Sequence, residues 1–184
     1  RAARGQGDAG VAGAVLLAPM MGIASPGKSL VIRMLTRIAC LMGRTGRYAV
    51  GQYPYGAHQR RPARGEILTG SAERFADEGW WNDRDPGMSL GGVSWGWLDA
   101  AFRSIAALKR PGVLEAIRLP VMTLVGRDER LVEPESAMRA CARMPQAECR
   151  WIAAGRHELL RDADMPRRKA MAAITAFLDR IAAG

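Results

Sequence analysis

The chain predicts an α/β fold in which short parallel strands alternate with helices. Residues 121–125 (VMTLV) are a short apolar, partly β-branched run, the pattern of a strand covered on both faces. Residues 149–152 (CRWI) read as a second short strand, and residues 12–18 (AGAVLLA), closed by Pro19, as a third, buried one. Elsewhere apolar residues recur at three-to-four spacing, the period of a helix packed on one side. The 184 residues fit one domain with a real core, and 48% apolar with 24% charged residues describes a folded globule rather than a disordered chain.

Between the first strand and the second, helices dominate. Leu30, Val31, Met34, Leu35, Ile38, Leu41 and Met42 share one helical stripe, with Arg33 and Arg37 on the other side and Gly43 as the stop. The stripe is expected to pack on the core; the alternative is a basic amphipathic helix that touches lipid. Residues 44–65 are turn-rich and read as an irregular loop. Ser71 caps a short helix over residues 71–79. Trp80 and Trp81 then precede a break at Asp85-Pro86-Gly87, where paired aromatics either line an apolar pocket or anchor a loop. Trp97, Leu98, Ala101, Phe102, Ile105 and Leu108 share one helical face, and Pro111-Gly112 ends that helix. Glu133-Pro134-Glu135 opens a further helix, with proline in the first turn and acids at its positive end. The last helix starts near residues 164–166 and carries Met171, Ile174, Phe177, Leu178 and Ile181.

Composition narrows the function classes. The formal net charge is +9, but the arginines look scattered, with no dense basic tract, so no nucleic-acid partner is expected. Cys40, Cys141 and Cys149 are odd in number and lack C-x-x-C spacing, which suggests reduced thiols in the cytoplasm. With two histidines and no cysteine pair, no metal site is expected, and His58 has no partner at metal-ligand spacing. Residues 1–10 lack the apolar centre of a signal peptide, and Lys28, Arg33 and Arg37 interrupt the most apolar third before it could span a bilayer.

Three stretches carry candidate chemistry. Asp128 follows the end of the strand at residues 121–125, and His157 follows the strand at residues 149–152. Loops beyond the carboxyl ends of neighbouring parallel strands meet above the sheet, where an acid can orient an imidazole and leave its second nitrogen as a base. Residues 22–29 (GIASPGKS) match a phosphate-binding loop, in which Lys28 would reach the phosphates and Ser29 would hold Mg²⁺. Against it, Pro19-Met20-Met21 separates the strand from Gly22, and the one good candidate for a strand ending in a Mg²⁺-binding Asp, the strand leading to Asp128, has an intervening Gly126-Arg127 turn. Gly92-Val93-Ser94-Trp95-Gly96 matches G-x-S-x-G, and Ser94, Asp128 and His157 fall in hydrolase order. Yet residues 85–91 (DPGMSLG) are no buried strand, so Ser94 lacks the strand-to-helix elbow that makes the motif work.

The segments GRDERLV (126–132) and GRHELL (155–160), with VLLAPMMGI (15–23), ILTGSAERF (67–75) and GGVSWGWL (91–98), resemble α/β-hydrolases. The likeness is to the bacterial lysophospholipase and monoacylglycerol-lipase-like group, related to the serine aminopeptidases. It spans residues 15–177. The resemblance implies the C-terminal part of that fold: a strand in residues 1–18, a helical cap over residues 19–110, and an α/β core over residues 111–184. It implies Asp128 as the triad acid and His157 as the base. It places Ser94 in the cap, and the nucleophile and oxyanion loop upstream of Arg1. Glu129 and Glu158 are expected to be turn or surface residues.

The expected activity of the intact parent is serine-dependent hydrolysis of a lysophospholipid, monoacylglycerol or similar acyl ester, without a cofactor. This chain alone is expected to be inactive and marginally stable, because a three-stranded sheet with an unpaired edge invites association. The expected place is the cytoplasm, with peripheral contact at the inner membrane face through the cap as an option. The rival readings are nucleotide binding at residues 22–29, a compact hydrolase using Ser94, and a catalytically dead binding or structural fragment.

Overall fold

The computed structural model describes residues 10–24 and 29–183. Its centre is a three-stranded parallel sheet, β1 (Ala14–Leu17), β2 (Val121–Gly126) and β3 (Ala147–Ile152), in that spatial order. Ala14 faces Val121, and Val121 in turn faces Ala147, so the three strands start level and run the same way.

Alternation along the strands builds two cores. Val15 and Leu17 of β1, with Met122 and Leu124 of β2, point to one face, where Ala170, Ala173 and Phe177 of α6 (Asp164–Ala182) cover them. Ala14, Leu16 and Val121 point to the other, against Ala140, Cys141 and Met144 at the end of α5 (Pro134–Cys141). All six residues of β2 are buried, which is why its sequence carries no charge and does not alternate, Thr123 being its one polar side chain.

Between β1 and β2 lie α1 (Ser29–Leu41), α2 (Pro62–Leu68), α3 (Ala72–Arg84) and α4 (Trp95–Leu108). The helix expected over residues 71–79 runs on to Arg84, so Trp80 and Trp81 sit on its last turns, both exposed and edge-to-face with each other. Backbone bonds from Ala49 to Val93, from Trp95 to Arg47 and from Gly96 to Thr45 tie the loop after α1 to the approach to α4.

Two expectations are corrected here. The apolar stripe of α1 does not pack on the core. Thr36 and Ala39 are buried instead, Cys40 donates to the Trp95 carbonyl, and the stripe faces outward. The small residues let α1 lie close to α4, which the larger stripe would prevent. Cys141 and Cys149 are joined in a disulfide rather than reduced, because α5 packs on the sheet and brings its last residue onto β3. Cys40 is the free thiol.

Candidate active site

The carboxyl ends of β2 and β3 hold the turn after Gly126 and the loop after Ile152 together by backbone bonds. Arg127 N donates to Ile152 O and Asp128 N to Gly155 O, each at 2.9 Å. Gly126 makes this approach possible, since a Cβ there would meet Arg156 O at 2.7 Å. The second loop turns through Ala154 at φ +57, a left-handed conformation that costs a non-glycine residue about 1–2 kcal/mol.

Within this frame His157 faces Glu129. His157 Nδ1 lies 2.7 Å from Glu129 Oε2. The Glu129 side chain has no solvent exposure, whereas that of His157 is 24% exposed. The other carboxylate oxygen, Oε1, accepts from Leu131 N at 2.6 Å and Val132 N at 3.1 Å, so one turn of chain wraps the acid. Burial alone would raise the Glu129 carboxyl; the bonds from His157, Leu131 and Val132 outweigh it and hold the group below its ordinary value. An ionised carboxylate only accepts, so the proton of this bond sits on Nδ1, and Nε2 is the nitrogen left outside the pair.

Asp128, the acid expected opposite His157, is exposed, and its backbone rather than its side chain joins the loop. The turn that gives Asp128 N to Gly155 leaves the next residue, Glu129, to point inward. Glu129 is therefore not the turn or surface residue that was expected. Glu158 pairs with Arg161 at 2.8 Å.

Ser94 is the N-cap of α4: its Oγ accepts from Trp97 N at 3.1 Å, and its backbone bridges Tyr48. It is not at the end of a sheet strand. Of the phosphate-loop reading at residues 22–29, residues 25–28 lie outside the described residues. Gly22 O accepts from Glu133 N, and Ile23 bridges Val132. No cluster of three metal-ligating side chains occurs among the described residues.

A second acid, Asp162, escaped the sequence reading. Its side chain is wholly buried. Oδ1 accepts from Gly70 N at 2.6 Å and Ala163 N at 2.8 Å, while Oδ2 accepts from Arg156 N at 2.6 Å. The neighbouring bonds follow the same seam. Arg156 Nη1 donates to Thr69 O, Thr69 Oγ1 to Arg161 O, and Glu158 N to Leu68 O. Both residues that flank His157 are thus held by their backbone N–H groups, one by Asp162 and one by the end of α2. Beside this seam opens a cleft of about 900 Å³ whose walls include Arg64, Trp81, Met88, Leu90, Glu158 and Arg161.

The fold is that of the α/β-hydrolases. Residues 2–164 match the family described as Hydrolase_4, serine aminopeptidase, S33, and the chain belongs to that family. It is 29% identical over 168 residues to a protein named probable lysophospholipase L2 from Haemophilus influenzae, a match covering 90% of this chain and 51% of that one. Among solved structures it resembles a monoacylglycerol lipase from Paleococcus ferrophilus at TM-score 0.65 and 16% identity, covering 92% of this chain and 59% of the other. A soluble variant of monoglyceride lipase from Saccharomyces cerevisiae gives TM-score 0.64 and 13% identity, with 91% and 55% covered. The chain spans about half the length of the curated relative it matches. No helix among the described residues is long and apolar enough to cross a membrane.

Proposed function

We propose that this chain supplies the acid and the base of a serine-type hydrolase of acyl esters, with a lysophospholipid or monoacylglycerol as substrate. The observation that carries the reading is the 2.7 Å bond between Glu129 and His157 Nδ1 at the carboxyl edge of a parallel sheet. Glu129 would orient the ring and stabilise the imidazolium. His157 Nε2 would take the proton from a serine hydroxyl and return it to the leaving alcohol. The serine would come from the parent protein before Arg1, because the Ser94 hydroxyl caps a helix. The names of the relatives support the substrate class, and the cleft offers the apolar surface of Trp81, Met88 and Leu90 to an acyl chain, its Arg64 and Arg161 being paired with Glu78 and Glu158.

The test is turnover of monoacylglycerol and lysophosphatidylcholine by the parent enzyme. His157→Ala and Glu129→Gln should each lower kcat by about 10³- to 10⁴-fold. Asp128→Asn should leave kcat within about threefold, a free-energy change under about 1 kcal/mol. Near-normal turnover in His157→Ala would remove this site from the reaction. In the 184-residue chain alone, a fluorophosphonate probe should leave Ser94 unlabelled.

A further inference from the structure

Of the two loops that meet at the site, the one carrying His157 is fixed from outside the sheet. Its first turn is held to the turn after Gly126 by the bond from Asp128 N to Gly155 O. Beyond Gly155 the residues that flank His157 find their acceptors elsewhere. Arg156 N donates to Asp162 Oδ2 at 2.6 Å, and Glu158 N donates to Leu68 O at 2.8 Å. Leu159, buried beside Ile152, then anchors the loop in the core. The place of the imidazole is therefore set by the amides of its neighbours, and one of these is held by a side-chain carboxylate.

Burying that carboxylate is unfavourable unless donors surround it, and here they come from three places in the chain. Gly70 lies in the short link between α2 and α3, 92 positions from Asp162. It comes this close because it has no side chain: a Cβ there would meet Asp162 Oδ1 at 2.9 Å and Ala163 Cβ at 3.2 Å. Further bonds tie the same link to the same loop. Arg156 Nη1 donates to Thr69 O at 2.7 Å, and Arg74 of α3 reaches Asp162 O and the Asp164 carboxylate. Closing the turn at Ala163 would need one acceptor oxygen. Spanning the His157 loop and the α2–α3 link at once needs two, which a carboxylate offers and an amide does not.

We infer that Asp162 is the positioning residue for the base: it holds the Arg156 N–H against the α2–α3 link, so that His157 meets Glu129 at hydrogen-bond distance. Asp162 touches no reacting group and acts through Arg156. The inference rests on the reading of Glu129 and His157 as acid and base. Asp162→Asn isolates the arm that matters. Oδ1 has two donors and Oδ2 has one, so the amide keeps its oxygen toward Gly70 and Ala163 and sets its NH₂ against the Arg156 N–H. The loop then gives way at Arg156, and a misplacement of about 1 Å is enough to lower turnover by about 10²-fold.

The experiment is nitrogen NMR of the His157 ring in the whole chain, with Phe177→Leu as a control that loosens the core under α6 without touching this seam. The unchanged chain and Phe177→Leu should both show the neutral ring protonated at Nδ1. Asp162→Asn should give mixed tautomers. Gly70→Ala, which keeps the carboxylate but crowds Oδ1, should shift the spectrum the same way, and it carries the test where Asp162→Asn does not fold. In the parent enzyme Asp162→Asn should lower kcat by about 10- to 100-fold with KM within about threefold. A ring that answers to Glu129→Ala but to neither seam variant would overturn this inference and leave the acid–base pair standing. A ring indifferent to Glu129→Ala would overturn the pair, and this inference with it. Equal effects of Phe177→Leu and Asp162→Asn, in the spectrum or in kcat, would overturn it as well, since Asp162 would then serve the fold alone.

Discussion

Replacing Asp162 by alanine should destabilise the chain more than any surface change, because it removes three hydrogen bonds at once. The carboxylate accepts from Gly70, Ala163 and Arg156 at 2.6–2.8 Å and has no solvent exposure. Bonds to a charged acceptor each contribute about 1.5–3 kcal/mol, but they share one side chain and are not additive. Gly70 is itself exposed, so water recovers part of its loss. The expected cost is about 3–4 kcal/mol, which in a chain of this length lowers Tm by about 10 °C. Asp162→Asn keeps one acceptor oxygen and turns an NH₂ toward the Arg156 N–H, so an intermediate loss of about 1–2 kcal/mol follows. Thermal melts by circular dichroism measure all three proteins, and hydrogen exchange adds a local readout: the Arg156 and Gly70 amides should lose protection first. An alanine variant melting within about 2 °C of the parent would refute the reasoning, since the clamp would then hold nothing.

Further outcomes follow from the ion pairs and the cysteines. Hydrogen bonding from Arg143 holds the Glu115 carboxyl at about 2, well under its ordinary 4.5. A depressed carboxyl adds stability above its ordinary value and loses it as pH falls toward the folded one. Unfolding by urea should therefore become easier as pH drops from about 4.5 to about 2, and Glu115→Gln should flatten part of that decline. Glu129, also depressed, acts in the same direction. Reducing the Cys141–Cys149 bond, which spans eight positions, should cost about 2.5 kcal/mol through loop closure. Thiol titration of the unfolded chain should count one free thiol before reduction and three after, and three at the outset would deny the disulfide.

The sheet was legible because β1 and β2 are short, mainly apolar runs bounded by turn residues, and β2 was placed to within one residue, whereas β3 carries Glu148 and Arg150 and was found only from Cys149 onward. The helices α5 and α6 were likewise marked at their starts, by Pro134 and by Asp164. The site was legible to the level of the loop and no further. Asp128 and Glu129 are consecutive, and which one turns inward depends on which backbone N–H meets Gly155, a choice that residue types do not encode. The periodicity of α1 located its apolar arc but not the face that packs, because the small residues Thr36 and Ala39 make the contact. The disulfide has no spacing signature, since Cys141 and Cys149 meet only through the packing of a helix on a strand. Asp162 was invisible because its partners are backbone N–H groups, two of them distant in sequence or across a turn.

The pairing of His157 with Glu129 is the claim on which the functional reading rests, and nitrogen NMR of the imidazole tests it on the chain itself. In its neutral form the His157 ring should show a protonated Nδ1 and a lone-pair-bearing Nε2, the tautomer that the 2.7 Å bond to Glu129 selects. Asp128→Asn should leave that spectrum unchanged, whereas Glu129→Ala should return the ring to the mixed tautomers of a solvated histidine. A spectrum that shifts in Asp128→Asn and persists in Glu129→Ala would contradict the account and make Asp128 the partner of His157.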